Sequence, residues 1–181
     1  MSKKEFVAVI DTETMGTFSA PIVYDFGVAI MDRDGVIVDK LSVLFSDIYF
    51  IKETLSVSYD VLKSDFASKK VPEYLTGVFH GDFEPMPYKK GCKKIKAFLK
   101  KYNVKKVYAY NAIFDEKACK ATAEKYGHSI LPDDVTLKCI FNIASHVICN
   151  NRNYFKFCFE NGFYTDKKIP YVKTSAETVY R

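Results

Sequence analysis

The clearest pattern in the chain is a compact apolar run near its start, Phe6-Val7-Ala8-Val9-Ile10, rich in β-branched residues. A run of this length and type fits a strand buried on both faces. Ile22 to Met31 predicts a second strand, Asp32-Arg33-Asp34-Gly35 a turn, and Val36 to Phe45 a returning third strand with partial alternation, so the three read as a meander. From about residue 52 to 88 periodicity fades and three prolines intervene, which reads as a helical insertion. Ile95, Phe98, Leu99 and Tyr102 then recur at helical spacing. Val107-Tyr108-Ala109-Tyr110 is a short buried strand, Asn111 offers an N-cap, and a helix with Phe114, Ala118 and Ala121 inward runs to Tyr126 and stops at Gly127. Further helices are predicted over 138–149 and near 154–160. Strands first, then helices interleaved with single strands, imply an α/β fold with a mixed sheet flanked by helices. At 181 residues, without repeats or a boundary signal, the chain is expected to be a single domain.

Composition narrows the class. Hydrophobic residues make up 48% and charged residues 27%, an ordinary globular balance. The opening apolar run is too short for a signal peptide, and nothing later approaches a membrane span, so a cytoplasmic protein is expected (host cytoplasm if phage-encoded). The five cysteines, Cys92, Cys119, Cys139, Cys149 and Cys158, form no Cys-x-x-Cys pair and read as reduced thiols. The net charge of +5 is unevenly spread: no acid occurs from Pro85 to Phe114, while nine lysines crowd there, Lys93, Lys94 and Lys96 among them. Such a lysine face is either solvated surface or a contact for a phosphate backbone.

Two places could do chemistry. In Asp11-Thr12-Glu13-Thr14-Met15-Gly16, at the end of the first strand, positions i and i+2 share a side, so Asp11 and Glu13 aim two carboxylates at one point. Like charges that close call for a cation between them or a proton on one, and hard oxygen ligands suit Mg²⁺ or Mn²⁺. In Ala109-Tyr110-Asn111-Ala112-Ile113-Phe114-Asp115, Asp115 could simply complement a helix N-terminus. With the first site, it places a third carboxylate at the same edge of the sheet, where open α/β sheets bind ligands.

Asp-x-Glu-Thr-x-Gly after one strand and Ala-Tyr-Asn-Ala-x-Phe-Asp after a later one resemble the first two motifs of the DnaQ-like (DEDD) 3′–5′ exonucleases. The segments Tyr154-Phe155-Lys156-Phe157 and Lys173-Thr174-Ser175-Ala176-Glu177 look like bacteriophage members of that family. The resemblance implies a ribonuclease H-like fold with a five-stranded mixed sheet and a metal-dependent exonuclease using two Mg²⁺ or Mn²⁺ ions. Asp11 would bridge both ions, Glu13 would hold the one that activates water, and Asp115 would support the second. Thr14 and Met15 would lie where the terminal nucleotide is gripped, with Tyr110, Asn111 and Phe114 beside it, Phe114 being largely core. The implied partners are nucleic acid with a free 3′ end, single-stranded, and a polymerase or replication protein.

The same resemblance calls for a fourth carboxylate on a C-terminal helix, with a His five residues or a Tyr four residues before it. His128 precedes Asp133 by five, but Pro132 breaks any helix between them. His146 is followed at that spacing by the neutral Asn151, His80 has no acid there, and no Tyr-x-x-x-Asp occurs. Thr174-Ser175-Ala176-Glu177 reads as a capping box opening a helix that has run roughly one and a half turns at Arg181. The expectation is an incomplete C-terminal helix and impaired hydrolysis. Two other readings stand beside this one: a catalytically inactive nucleic-acid binding module, and a haloacid dehalogenase-type phosphatase with Asp11 as nucleophile. Glu13 and Met15 depart from the motif of the latter.

Overall fold

The alternation of β1 organises the molecule. In the computed structural model, which describes residues 5–17, 19–50, 65–81 and 83–180, β1 (Val7–Thr17) extends well past the apolar run and carries the whole Asp11–Gly16 motif. It pairs antiparallel with β2 (Ala20–Met31), which pairs with β3 (Ile37–Phe45), giving the expected meander. On the other side of β1 lies β5 (Lys106–Ala109), parallel to it, and then β6 (Thr136–Cys139). The two-residue β4 (Pro85–Met86) pairs in parallel with β3.

The α/β, ribonuclease H-like sheet therefore has six strands, in the order β4-β3-β2-β1-β5-β6, where five were expected. β6 takes residues that the helical reading of 138–149 had claimed. Four residues alternating exposed and half-buried are too few for periodicity to separate an edge strand from a helix start. The helix begins at α5 (Ile140–Ala144) and continues as a π-helical turn, Ser145–Cys149.

Even-numbered positions of β1 face one side. Ala8 and Ile10 join Phe26, Val28, Ile30, Val43, Val107 and Ala109 in the main core. Two helices cover that side: α3 (Tyr88–Lys101), which is the lysine helix, and α4 (Ala112–Tyr126). α3 approaches so closely that a Cβ on Gly91 would lie 2.5 Å from the Phe45 ring and 2.8 Å from Val43. Its first backbone N–H, at Tyr88, is satisfied by Asp47 of α1 (Ser46–Tyr49) at 2.8 Å.

Odd-numbered positions of β1 face the opposite, more polar side. There α2 (Asp65–His80), the described part of the expected insertion, leans on the β2–β3 end through Tyr74 and Val78, which cluster with Leu44 and Tyr49. Residues 52–64 of that insertion lie outside the described residues. A third cluster gathers Ala144, Cys149, Tyr154, Cys158 and Val172 around α6 (Arg152–Glu160). All five cysteines are free. Among the described residues no helix is long and apolar enough to cross a membrane.

Helix ends follow sequence in one case and depart in two. Gly127, at φ +76°, closes α4 with its N–H on the Ala123 carbonyl at 2.8 Å. Asn111 does not cap α4: it sits in the left-handed region at φ +61° and its side chain makes no capping bond. The last helix, α7 (Ala176–Tyr180), is capped by Ser175, whose Oγ accepts the Thr178 N–H at 3.4 Å, one residue later than the Thr174 box predicts.

Candidate active site

The motif glycine lets β1 stay paired with β2 beyond its carboxylates. Gly16 adopts φ +92°, and a Cβ there would lie 2.9 Å from the Ala20 carbonyl, so only glycine fits the approach to β2. Just before it the register shifts: Glu13 pairs with Asp25 but Thr14 pairs with Val23, so β2 carries an extra residue, Tyr24. A bulge of this kind bends the strand and re-aims neighbouring side chains. The helix side adapts to it, because the Val23 N–H donates to Thr122 Oγ1 of α4 at 2.9 Å while that hydroxyl donates to the Ala118 carbonyl at 2.6 Å.

Asp11 is exposed on the polar side, opposite Gly27, which adds no side chain over it. Thr12 points the other way and is buried, and its hydroxyl donates to Asp115 Oδ1 at 2.8 Å. Asp115 lies in the first turn of α4 and is only 5% exposed. Burial pushes its carboxyl above the ordinary Asp range; the Thr12 bond pulls it back, and the negative charge of Asp11 pushes it up again. Thr12 thus ties Asp115 to β1 one residue from Asp11, just past the last β1–β5 pairing, and the charge of Asp11 is felt at Asp115 although the two adjoining side chains of β1 point to opposite sides. The half-buried Glu13 makes its charge felt elsewhere, at the phenols of Tyr24 and Tyr74.

Among the described residues no group of three or more His, Cys, Asp or Glu side chains is arranged to hold a metal ion. The three acids are thus not a closed cage. Mg²⁺ needs none: it keeps several waters and is commonly bound by one or two carboxylates together with substrate phosphates. Asp11 and Asp115 are hard oxygen donors of the kind that mode uses.

The remaining candidates are placed as follows. Tyr110 donates its hydroxyl to the Thr174 carbonyl and packs edge-on against Phe141, with ring centroids 5.7 Å apart. Tyr110, Asn111, Phe141, Thr174 and Ser175 line an open pocket of about 340 Å³. The positive φ of Asn111, rare outside glycine, stands at this pocket's rim. Thr14 is half-buried, Met15 packs against the main core, and Phe114 is half-buried with its N–H on the Asn111 carbonyl. On α3, Lys93 is exposed, Lys94 pairs with Glu84 at 2.8 Å, and Lys96 donates to Ser129 at 2.8 Å. His146 is exposed on the π-helical turn, and Asn151 spends its side chain capping α6, accepting the Asn153 N–H at 2.9 Å.

Thr12, Asp25 and Tyr74 escaped the sequence reading. Asp25 stands across from Glu13, and Tyr74 donates to it at 2.5 Å. Neither belongs to a spaced motif, and only the strand register and the packing of α2 bring them to Glu13.

Comparison with known proteins gives the fold a precedent. No family model matches the chain, and no curated protein matches its sequence. The crystal structure of E. coli Exonuclease I in complex with an oligonucleotide is similar over 97% of this chain, at TM-score 0.56 and 10% identity. The chain spans 35% of that protein's length. The nuclease domain of 3′hExo, a DEDDh family member bound to rAMP, aligns with 89% of this chain and 80% of its own at 11% identity, but its TM-score of 0.47 is too low to carry an argument.

Proposed function

We propose that the chain is a divalent-metal-dependent 3′–5′ exonuclease that removes nucleotides from a free 3′ end of single-stranded nucleic acid. The observation that carries this reading is the Asp11–Thr12–Asp115 arrangement, a buried, hydroxyl-anchored carboxylate within electrostatic reach of an exposed one, just past the end of the parallel β1–β5 pairing. The fold shared with Exonuclease I, a protein solved with an oligonucleotide bound, supports the substrate class.

In this reading a bound Mg²⁺ or Mn²⁺ supplies charge neutralisation at the scissile phosphate. Asp11 offers the accessible ligand, and Asp115, fixed by Thr12, offers one that need not reorganise on binding. Glu13, on the same side of β1 as Asp11, accepts a hydrogen bond from the attacking water and holds it in line with the phosphate. The pocket at Tyr110, Asn111 and Phe141 receives the terminal nucleotide, with Thr14, Met15 and the edge of Phe114 beside it. Lys93, Lys94 and Lys96 attract the backbone, although phosphate must displace Glu84 from Lys94 to contact it directly. A second metal position calls for a further carboxylate with a His or Tyr partner on a helix; the pair at that spacing, His128 and Asp133, has Pro132 between its members and lies on no helix. Hydrolysis by this chain is therefore slow.

The test is a Mn²⁺ titration of the chain and of Asp11→Asn, joined to a time course on a 5′-labelled single-stranded oligonucleotide. Weak Mn²⁺ binding lost in Asp11→Asn, with slow metal-dependent shortening from the 3′ end, is the expected result. Salt-sensitive oligonucleotide binding with neither Mn²⁺ binding nor shortening would make the chain an inactive binding module instead.

A further inference from the structure

The polar side of the sheet carries a further acid, Asp25, that the scheme above leaves without a role. Glu13 and Asp25 are directly opposite on β1 and β2, so they point to the same side, with Cβ atoms about 4.5–5.5 Å apart. Two facing carboxylates repel, yet Asp25 is firmly held. Its Oδ2 accepts the Tyr74 hydroxyl at 2.5 Å, and its Oδ1 accepts the Ser42 hydroxyl at 3.3 Å.

Tyr74 is itself fixed. It is 4% exposed, and its ring packs against those of Tyr24, Tyr49 and Phe83 at centroid distances of 5.8, 5.4 and 5.4 Å. Burial raises the phenols of Tyr24 and Tyr74 far above the ordinary tyrosine range, and the charges of Asp25 and Glu13 raise them further. Both phenols are donors at any working pH, and Glu13 lies within electrostatic reach of both. The bulge at Tyr24 falls just beyond the Glu13–Asp25 pair.

We propose that Tyr74 and Asp25 are positioning residues for Glu13: Tyr74, reaching down from α2, clamps the Asp25 carboxylate, and that fixed charge keeps the Glu13 side chain turned toward Asp11 and a bound cation. Helix α2 then belongs to the active site, because it supplies the hydroxyl that holds the carboxylate facing Glu13 from the neighbouring strand β2. The inference rests on the metal-binding reading of Asp11 and Glu13.

Mn²⁺ titrations of the full chain, well below its melting temperature, test it with Asp11→Asn as control. Tyr74→Phe keeps the ring packing and removes only the hydroxyl. Asp25→Asn keeps an acceptor for Tyr74 and removes only the charge, so it decides the matter should Tyr74→Phe fail to fold. Each is expected to weaken Mn²⁺ binding about 10-fold, the lower end of what outer partners of metal ligands contribute. A merely structural role would lower the melting temperature and leave Mn²⁺ affinity untouched. Parental affinity in both variants, with binding still lost in Asp11→Asn, overturns the positioning proposal alone. Weakening in Asp25→Asn but not in Tyr74→Phe strikes Tyr74 from it. Mn²⁺ binding that survives Asp11→Asn overturns the metal reading and this proposal together.

Discussion

The two sides of the sheet are made by the same strands and obey different rules. On the packed side, Ala8, Ile10, Phe26, Val28, Ile30, Val43 and Val107 are buried under α3 and α4. On the other side the intervening residues of β1 and β2 begin with Val9 and Ala29 and go on to Asp11, Gly27, Glu13 and Asp25, facing α2 at one end and open at Asp11. A slip of one residue in register would exchange the two sets, placing carboxylates in the core. The apolar side thus fixes the register, and the register assembles the acids. Thr12 is where the two sides meet: it points into the packed side and there holds Asp115, whose carboxyl still feels the charge of Asp11 on the polar side.

If that division is right, neighbouring residues of β1 should respond in opposite ways. Ile10 is 3% exposed, and Ile10→Ala should cost about 2–5 kcal/mol through lost burial and the cavity left behind. At about 2–4 °C per kcal/mol for a chain of this size, the fall in melting temperature is large. Asp11→Asn, one residue on, should leave metal-free stability within about 0.5 kcal/mol. Thermal melts of the two variants in a chelator decide it, and an Asp11→Asn loss as large as that of Ile10→Ala would break the comparison.

The packed side also tests itself at Gly91. Alanine is worth about 1 kcal/mol more than glycine inside a helix. Here its Cβ would stand 2.5 Å from Phe45 and 2.8 Å from Val43, both fully buried and unable to yield. Overpacking of that kind costs about 1–3 kcal/mol and should outweigh the propensity gain, so Gly91→Ala lowers stability. Denaturant unfolding of the pair measures the difference, and a stabilised variant would show that α3 can move away from β3.

Much of the packed side was legible in the sequence because burial writes itself as periodicity. The meander, the lysine helix and the helix ending at Gly127 appear as expected, and the run Phe6–Ile10 is a strand, though fully buried on one face only and longer than its apolar stretch. β6 was hidden because four alternating residues, Thr136 to Cys139, also suit a helix start, and Asn111 misled because residue type alone cannot distinguish a cap from a left-handed turn. The polar side was legible only where its residues are close in sequence. Asp11 and Glu13 announce each other by spacing, whereas Asp25 meets Glu13 only through a register, and Tyr74 meets Asp25 across 49 positions. Thr12 passed unnoticed between two acids, its partner lying 103 positions away.

The smallest effects sharpen the comparison through pH, because two acids differ in the sign of their shift. Asp115 has a raised carboxyl, from burial first and the charge of Asp11 beyond that, against the pull of Thr12. Its protonated form is the one folding favours, so its contribution is full below the ordinary Asp range near ~3.9 and is lost as pH rises through the raised folded value. Metal-free Asp115→Asn should therefore melt higher than the parent at neutral pH, by about 2–4 °C if the relief is ~1 kcal/mol, and the gap should close as acid protonates Asp115. Asp39, at the exposed edge of β3, is lowered by the Tyr102 hydroxyl first and Lys101 second, which donate at 2.5 and 3.0 Å. Its contribution is present above the ordinary range and is lost as pH falls through the lowered folded value. Asp39→Asn should melt slightly lower than the parent at neutral pH and match it in strong acid. Melting temperatures of the three proteins across an acid titration should therefore run in opposite directions relative to the parent. If Asp115→Asn instead follows Asp39→Asn, then the Thr12 hydrogen bond outweighs the desolvation of Asp115, and the buried acid is a stabilising partner of Thr12 rather than a charge waiting for a cation.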